Sequence, residues 1–138
     1  MAISEKLKGL CSQLYQGVPP PYQWQWDDRF NAALVVLEKD DKDAILETIS
    51  KVFNQQWDSS SIGKASPGIS KLVNNVFGIE PGQLLFSADE DAGLLLYAAW
   101  WPWGNGENFS LRAGVFPIDN QDLDDDEIAK ILQGWFNI

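Results

Sequence analysis

The stretch that decides the fold reads Leu94-Leu95-Leu96-Tyr97-Ala98-Ala99-Trp100-Trp101-Pro102-Trp103, and the turn sequence Gly104-Asn105-Gly106 follows it. A strand with one face in water alternates apolar and polar side chains, whereas this run is apolar at every position. Both faces of the strand must therefore be covered. We take whatever covers the second face as the best indication of function.

The turn that follows this run predicts a β-hairpin. Asn105-Gly106 is a strong signal for a two-residue loop, because both central residues of the favoured turn have positive φ. Such a loop places Trp100 opposite Leu111 on one face of the hairpin, which we assign to the core. On the other face it places Trp101 opposite Ser110.

The second face of the hairpin combines large aromatic rings with a few polar groups, and its candidate interface or ligand residues are Tyr97, Trp101, Trp103, Ser110 and Arg112. Such a surface suits a protein interface, since Trp, Tyr and Arg dominate interface energetics. It equally suits a pocket in which polar groups orient a ligand. The third interpretation is that Trp24, Trp26 or a helix covers this face and makes it core.

Two segments of the chain leave alternatives open. Residues 27–38 fit either a capped helix or a buried strand, and we prefer the helix. Residues 83–88 form a strand whose register depends on the next turn. A four-residue turn puts Leu84 and Phe86 on the Tyr97 face, and a three-residue turn puts them on the opposite face.

The remaining pattern predicts an α+β fold in a single domain, residues 1–138. Apolar residues at helical spacing predict helices near residues 3–17, 41–57, 66–78 and 122–135. With the ambiguous segment this gives four or five helices. Residues 83–118 form the meander of a three- or four-stranded antiparallel sheet, and the C-terminal helix closes the domain. The segment Tyr22-Gln23-Trp24-Gln25-Trp26 alternates like a short strand.

The composition excludes several kinds of chemistry. The chain of 138 residues carries a formal net charge of −10, has no histidine and has one cysteine, Cys11. Without histidine there is no Ser-His-Asp triad and no His-ligated zinc or haem site. With one cysteine no disulfide forms within the chain, and we expect Cys11 to be a buried apolar residue. A glycine-rich phosphate loop is also missing, and we expect no cofactor and no metal.

Charge and hydropathy also limit the partners. The surplus of acidic residues argues against binding nucleic acid through its phosphates and against docking on an anionic membrane. The longest apolar run, residues 93–103, is shorter than the ~20 residues of a membrane-spanning helix. The N-terminus alternates charged and apolar residues, unlike a secretory signal, so we expect a cytoplasmic protein.

Carboxylates are the catalytic groups that remain, and they cluster at residues 89–91 and 119–127. The second cluster begins Asp119-Asn120-Gln121-Asp122-Leu123-Asp124. It departs from a calcium-binding loop because it has no glycine at the sixth position and has Lys130 at the twelfth. We interpret both clusters as turns and a solvated helix start. A carboxylate-based enzyme is therefore our third hypothesis of function.

The stretches Ala98-Ala99-Trp100-Trp101-Pro102-Trp103 and Ile131-Leu132-Gln133-Gly134-Trp135-Phe136 carry a resemblance over the C-terminal half. This half resembles small, acidic, Trp-rich proteins of unknown function found in photosynthetic bacteria, and the resemblance implies no activity. In size, charge and order of elements the chain is also similar to secretion chaperones, which are small acidic α+β dimers. It departs from them because its helices are expected first and its strands last.

We predict a non-catalytic protein-interaction domain that forms a homodimer or binds a protein partner. The sheet face with Tyr97, Trp101, Trp103 and Arg112 is the expected contact surface. A partly apolar face left open favours self-association. The alternative is a small-molecule binding protein that uses the same aromatic face.

Overall fold

The computed structural model describes residues 5–91, 93–118 and 123–138. Within them lie four α-helices: α1 (Glu5–Gly17), α2 (Lys42–Val52), α3 (Pro67–Asn75) and α4 (Asp125–Trp135). The same residues form six β-strands: β1 (Gln25–Asp27), β2 (Ala32–Glu38), β3 (Gln55–Trp57), β4 (Leu84–Ser87), β5 (Leu94–Pro102) and β6 (Asn108–Pro117). All six strands belong to one antiparallel sheet in the order β1-β2-β6-β5-β4-β3.

The α+β class and the closing C-terminal helix are confirmed, but three or four strands was too few. The three strands outside the predicted meander all come from the first half of the chain: β1 and β2 lie between α1 and α2, and β3 lies between α2 and α3. The expectation that helices come first and strands last was therefore wrong. β1 and β3 have three residues each and form the two edges of the sheet.

The helix that we preferred for residues 27–38 is absent: Asp27 ends β1, residues 28–31 form a turn, and residues 32–38 form β2. β2 pairs with β6 over six residues, from Ala33 opposite Ala113 to Glu38 opposite Asn108. Its side chains alternate between fully buried and half-buried positions, with Val35 and Leu37 on the core face. The β-branched pair in the middle of this segment suits a strand, and the pairing with β6 decides between two locally equal alternatives.

The strand β3 lies where a longer second helix was expected. α2 ends at Val52, and Phe53 has extended backbone angles (φ −106°, ψ 133°). The chain then pairs with β4, placing Trp57 opposite Leu85. The apolar residues at helical spacing therefore include a side chain, Trp57, that belongs to the sheet.

The register of β4 is the one given by the shorter turn. Leu84 lies opposite Trp100 and Phe86 opposite Ala98, so both belong to the first face of the sheet. Leu85 consequently shares the second face with Tyr97. Phe86 is 1% exposed and fills the main core.

The pairing between β5 and β6 confirms the predicted register, although the loop is longer than expected. Trp101 lies opposite Ser110, and the Trp103 N–H donates to the Asn108 carbonyl at 2.9 Å. Four residues, 104–107, therefore connect the strands. Gly106 has φ +71° whereas Asn105 does not have positive φ, so the predicted turn of two positive-φ residues was wrong. A four-residue loop centred on the same bond leaves the register unchanged.

The two faces of the sheet are covered by different elements. α1, α2 and α4 pack on the first face, where Trp100 and the core positions of β2 and β6 are buried. α3 and its flanking segments pack on the second face, where Ile69 and Leu72 contact Leu85, Leu95 and Tyr97. Of the described helices, none is long and apolar enough to cross a membrane.

Candidate functional site

The five candidate residues share the second face of the sheet. The β5–β6 register places Trp101 beside Ser110 and Tyr97 beside Gly114, and it places Arg112 between these two pairs. Their exposure differs widely: Tyr97 and Ser110 are buried, Trp101 and Arg112 are half-buried, and Trp103 is exposed. The structure therefore brings the five together on one face but leaves them accessible to different degrees.

Tyr97 lies beneath the chain that follows α3. Phe77 packs on its ring with the centroids 5.5 Å apart, and Tyr97 is 3% exposed. Its hydroxyl end lies over Gly114, where a side chain would collide with it. Burial raises the pKa of the Tyr97 hydroxyl, and the nearby Arg112 charge offsets part of that rise. Tyr97 therefore stays protonated.

Arg112 is held by contacts on three sides. Its Nε donates to Oδ2 of Asp27 at 2.7 Å, and the two side chains are 16% and 11% exposed. Its guanidinium carbon lies 4.6 Å from the Trp101 ring centroid and 5.1 Å from that of Phe30. A planar guanidinium between two rings combines cation–π attraction with a charge-assisted hydrogen bond. The charge of Arg112 is thus already satisfied within the chain.

Asp27 is the acidic partner in this arrangement. Burial alone raises the pKa of its carboxyl, but the hydrogen bond and charge of Arg112 lower it. The backbone N–H groups of Arg29 and Phe30 lower it further, so the pKa of Asp27 lies below its usual 3.8. Asp27 is therefore ionised at neutral pH and fixes the loop after β1 to the second face.

Trp101 belongs to an aromatic cluster on this face. Its ring meets Phe30 edge-on at 5.1 Å and Phe77 edge-on at 5.4 Å, with interplanar angles of 76° and 82°. Edge-to-face contacts of this kind stabilise aromatic pairs beyond their buried area. One edge of Trp101 remains accessible because the residue is half-buried.

Trp103 is the most exposed large apolar side chain of the described residues, with 44% of its surface accessible. Its Nε1–H donates to Ser110 Oγ at 2.6 Å, and Ser110 is itself 5% exposed. The hydrogen bond fixes the indole ring beside the sheet. Trp103 is therefore an exposed aromatic ring held in one position.

Around Trp103 the second face remains open. On β2, Leu34 lies opposite Arg112 and Val36 opposite Ser110, and both are half-buried. We call the surface formed by Leu34, Val36, Trp101 and Trp103 the open face. Two ion pairs lie near it, since Asp27 neutralises Arg112 and Lys39 pairs with Glu107 at 3.2 Å, and the exposed Glu38 follows Val36 on the same face of β2.

Sequence reasoning missed the three residues that organise this face: Asp27, Phe30 and Phe77. The first two were assigned to a helix, and Phe77 was placed on the apolar side of another helix. One signal did exist, because a lone arginine on an apolar strand face requires a carboxylate partner. With 20 acidic residues in the chain, the sequence does not identify which one it is.

The described residues give little support for other chemistry. Among them there is no group of three or more His, Cys, Asp or Glu residues that could hold a metal ion. Cys11 is fully buried, and burial raises the pKa of its thiol to about 12. Asp89 and Glu90 are exposed. The first four residues of the calcium-like stretch, Asp119 to Asp122, lie outside the described residues.

Comparisons of the chain with protein-family models, with curated proteins and with solved structures found no match. The resemblance to Trp-rich proteins of photosynthetic bacteria therefore stays an expectation.

Proposed function

We propose that this protein is a non-catalytic interaction domain that associates with a second copy of itself through the open face. The observation that carries the proposal is Trp103, which is 44% exposed and fixed by its hydrogen bond to Ser110. A side chain already held in one conformation loses little entropy when a partner covers it. Tryptophan is also among the residues that most often dominate the energy of an interface.

Charge limits where a second copy can bind. The chain has a net charge of −10, so two copies repel each other over most of their surfaces. Beside the open face Arg112 is paired with Asp27 and Lys39 with Glu107, and the exposed Glu38 lies at its edge, two residues beyond Val36. Two copies can therefore meet there without breaking either ion pair, with Glu38 at the rim of the contact. In a two-fold symmetric dimer each copy contributes its own Trp103 to the interface.

The size of the open face determines how tightly we expect two copies to associate. An ordinary interface covers about 800 Å² per partner, which is about a tenth of the 7443 Å² accessible surface. The open face has four large apolar residues, so it supplies a small interface. We expect a reversible dimer with a dissociation constant on the order of 10 μM. Added salt should strengthen it by screening the repulsion between the acidic copies.

The test is the mass in solution, measured by light scattering or sedimentation over a dilution series. Trp103→Ala removes the exposed ring, and we expect it to weaken association by at least about tenfold. Ile138→Ala is the matched control, because Ile138 is the other large exposed apolar residue among those described, at 40%. It should leave the association unchanged.

Two outcomes would contradict the proposal. One is a wild-type protein that is monomeric at every concentration and salt level. The other is a dimer that Trp103→Ala and Ile138→Ala leave equally stable, which would place the contact elsewhere on the molecule. Circular dichroism of each variant shows whether it has kept its fold.

A further inference from the structure

A cavity of about 510 Å³ lies at the far end of β6, beyond the last residue that pairs with β2. It is bounded by the loop after β1, by the end of α3 and by the start of α4. Both apolar and polar groups line it, among them Arg29, Asn31, Asn75, Tyr97, Phe116 and Asp125. Its volume lies within the range of small-molecule sites.

The hydroxyl of Tyr97 is the first feature that points to a ligand. Tyr97 is 97% buried and lines the cavity, yet its hydroxyl makes no hydrogen bond with any described residue. Gly114 leaves room for that hydroxyl because it has no side chain there. Because the hydroxyl has no partner within the described chain and opens onto the cavity, its hydrogen-bond partner comes from the cavity, and a bound molecule with a polar group there can supply it.

The second feature is a pair of opposite charges at the same cavity. Arg29 and Asp125 both line it, and neither forms an ion pair with another residue that the structure describes. Arg29 has its guanidinium carbon 5.0 Å from the Phe30 ring centroid. Asn31 joins the two walls, because its Nδ2 donates to the Asp125 carbonyl at 3.1 Å. Among the described residues that line it, the cavity therefore presents one cation and one anion, on walls held together by a hydrogen bond.

These charges select among ligands. A simple anion would meet Asp125 and the negative field of the whole chain, and a simple cation would meet Arg29. A molecule that carries both charges can pair each with its opposite. Apolar groups on the cavity wall, such as Phe116 and Val76, offer a surface for an apolar body.

We propose that this cavity binds a small zwitterion of the apolar amino-acid class, with its carboxylate at Arg29, its ammonium group at Asp125 and a hydrogen bond to the Tyr97 hydroxyl. The inference is independent of the open face, because no residue of the cavity belongs to that surface. A bidentate Arg–carboxylate pair supplies orientation as well as affinity. For a ligand of about twelve heavy atoms in an open site, we expect a dissociation constant of about 1 mM.

The experiment is a titration of the isotope-labelled protein with L-phenylalanine, followed by the backbone amide shifts in NMR spectra. Saturable shifts are expected at Asn31, Asn75 and Phe116. Two matched compounds each lack one charge: 3-phenylpropanoate has no ammonium group, and 2-phenylethylamine has no carboxylate. Each should bind at least about fivefold more weakly than the amino acid.

Variants then test the individual contacts. Tyr97→Phe removes a hydroxyl that has no partner in the described chain, so it should fold normally and bind L-phenylalanine about fivefold more weakly. Tyr15→Phe is the matched control, since Tyr15 lies at a different pocket and its loss of a hydroxyl should not alter binding. Arg29→Gln changes an exposed residue and should leave the fold intact, so its effect on binding still tests the inference if Tyr97→Phe unfolds.

Three results would overturn the inference. The first is the absence of saturable shifts around the cavity. The second is equal affinity for L-phenylalanine and either single-charge compound. The third is unchanged affinity in both Tyr97→Phe and Arg29→Gln. Trp103→Ala should bind L-phenylalanine like the wild type, so failure of this inference and failure of the proposed dimer are distinguishable.

Discussion

Gly114→Ala tests the close packing of Tyr97 against the sheet. A methyl group at Gly114 would meet the Tyr97 hydroxyl oxygen first and would lie 2.6 Å from Cζ and 2.8 Å from Cε2. Tyr97 is 3% exposed and Phe77 packs on its ring, so the ring can yield only on the side that lines the cavity. Overpacking of this kind costs about 1–3 kcal/mol, and alanine regains roughly 0.5–1 kcal/mol over glycine in a strand. Because three atoms of Tyr97 lie closer than 3.0 Å to the added methyl group, we place the cost in the upper part of its range and expect a net loss of about 1–2 kcal/mol in the free energy of unfolding.

Gly9→Ala is the matched control for this substitution. Gly9 lies in the middle of α1, is exposed, and has no described heavy atom within 4 Å of an added Cβ. Because glycine is a poor helix former, Gly9→Ala should raise the free energy of unfolding by about 0.5–1 kcal/mol. The same chemical change thus has opposite signs at the two positions.

Urea denaturation followed by far-ultraviolet circular dichroism gives both free energies. A double-variant cycle isolates the cause, because Gly114→Ala should cost little once Tyr97→Ala has removed the ring. If Gly114→Ala lies within about 0.5 kcal/mol of the wild type, or costs as much without the tyrosine ring, the argument from close packing is refuted.

The remaining predictions concern charge, burial and the hairpin loop. Asp27→Asn leaves Arg112 without its counter-charge and should cost about 2–4 kcal/mol at neutral pH. The pKa of Asp27 is lowered in the folded protein, so the ionised carboxylate contributes its whole stabilisation above pH 3.8 and loses it as the pH falls through the lowered pKa. The free energies of unfolding of the wild type and Asp27→Asn, measured by urea denaturation, should therefore become equal in acid. The Cys11 thiol, with its pKa raised to about 12, should react with a thiol reagent only in denaturant, and rapid labelling of the native protein would contradict its burial. Gly106→Ala should lose about 1 kcal/mol because φ is +71° there, whereas Gly104→Ala, which lacks positive φ and has open space, should be neutral in the same denaturation assay.

The register of the central hairpin could be predicted because it depends on local sequence. Asn105-Gly106 marks the centre of the loop, and any symmetric loop about that bond pairs Trp101 with Ser110. The loop type was harder to predict, since Asn105 caps the loop by accepting hydrogen bonds from the backbone N–H groups of Glu107 and Asn108. Those bonds stabilise a four-residue loop in which a single residue needs positive φ.

The strand β2 could not be predicted with the same security because its partner is distant in sequence. Leu34-Val35-Val36-Leu37 is apolar at every position, which a helix and a buried strand accommodate equally. The structure pairs it with β6, more than 70 residues later. The pattern of apolar residues within this segment gives no information about a partner strand so far along the chain. The same limit applies to the ion pair of Asp27 and Arg112, whose partners are 85 residues apart.

The candidate site shows the same division between local and distant information. Strand alternation was enough to place Tyr97, Trp101, Ser110 and Arg112 on one face. Their accessibility depended on side chains from outside the hairpin, above all Phe77. The sequence of one hairpin is therefore enough to predict which residues share a face of the sheet. Which side chains cover that face depends on the whole fold.

Side chains from two other segments divide the second face of the sheet into two separate surfaces, the cavity and the open face. Phe30 and Phe77 contact each other with centroids 6.4 Å apart, and both pack on Trp101. This contact joins the loop after β1 to the chain after α3 and separates the cavity at Tyr97 from the open face at Trp103. Arg112 lies under Phe30 with its charge neutralised, so it holds this boundary in place. A ligand in the cavity and a partner on the open face therefore engage different residues, and the two proposals can be tested independently in one protein.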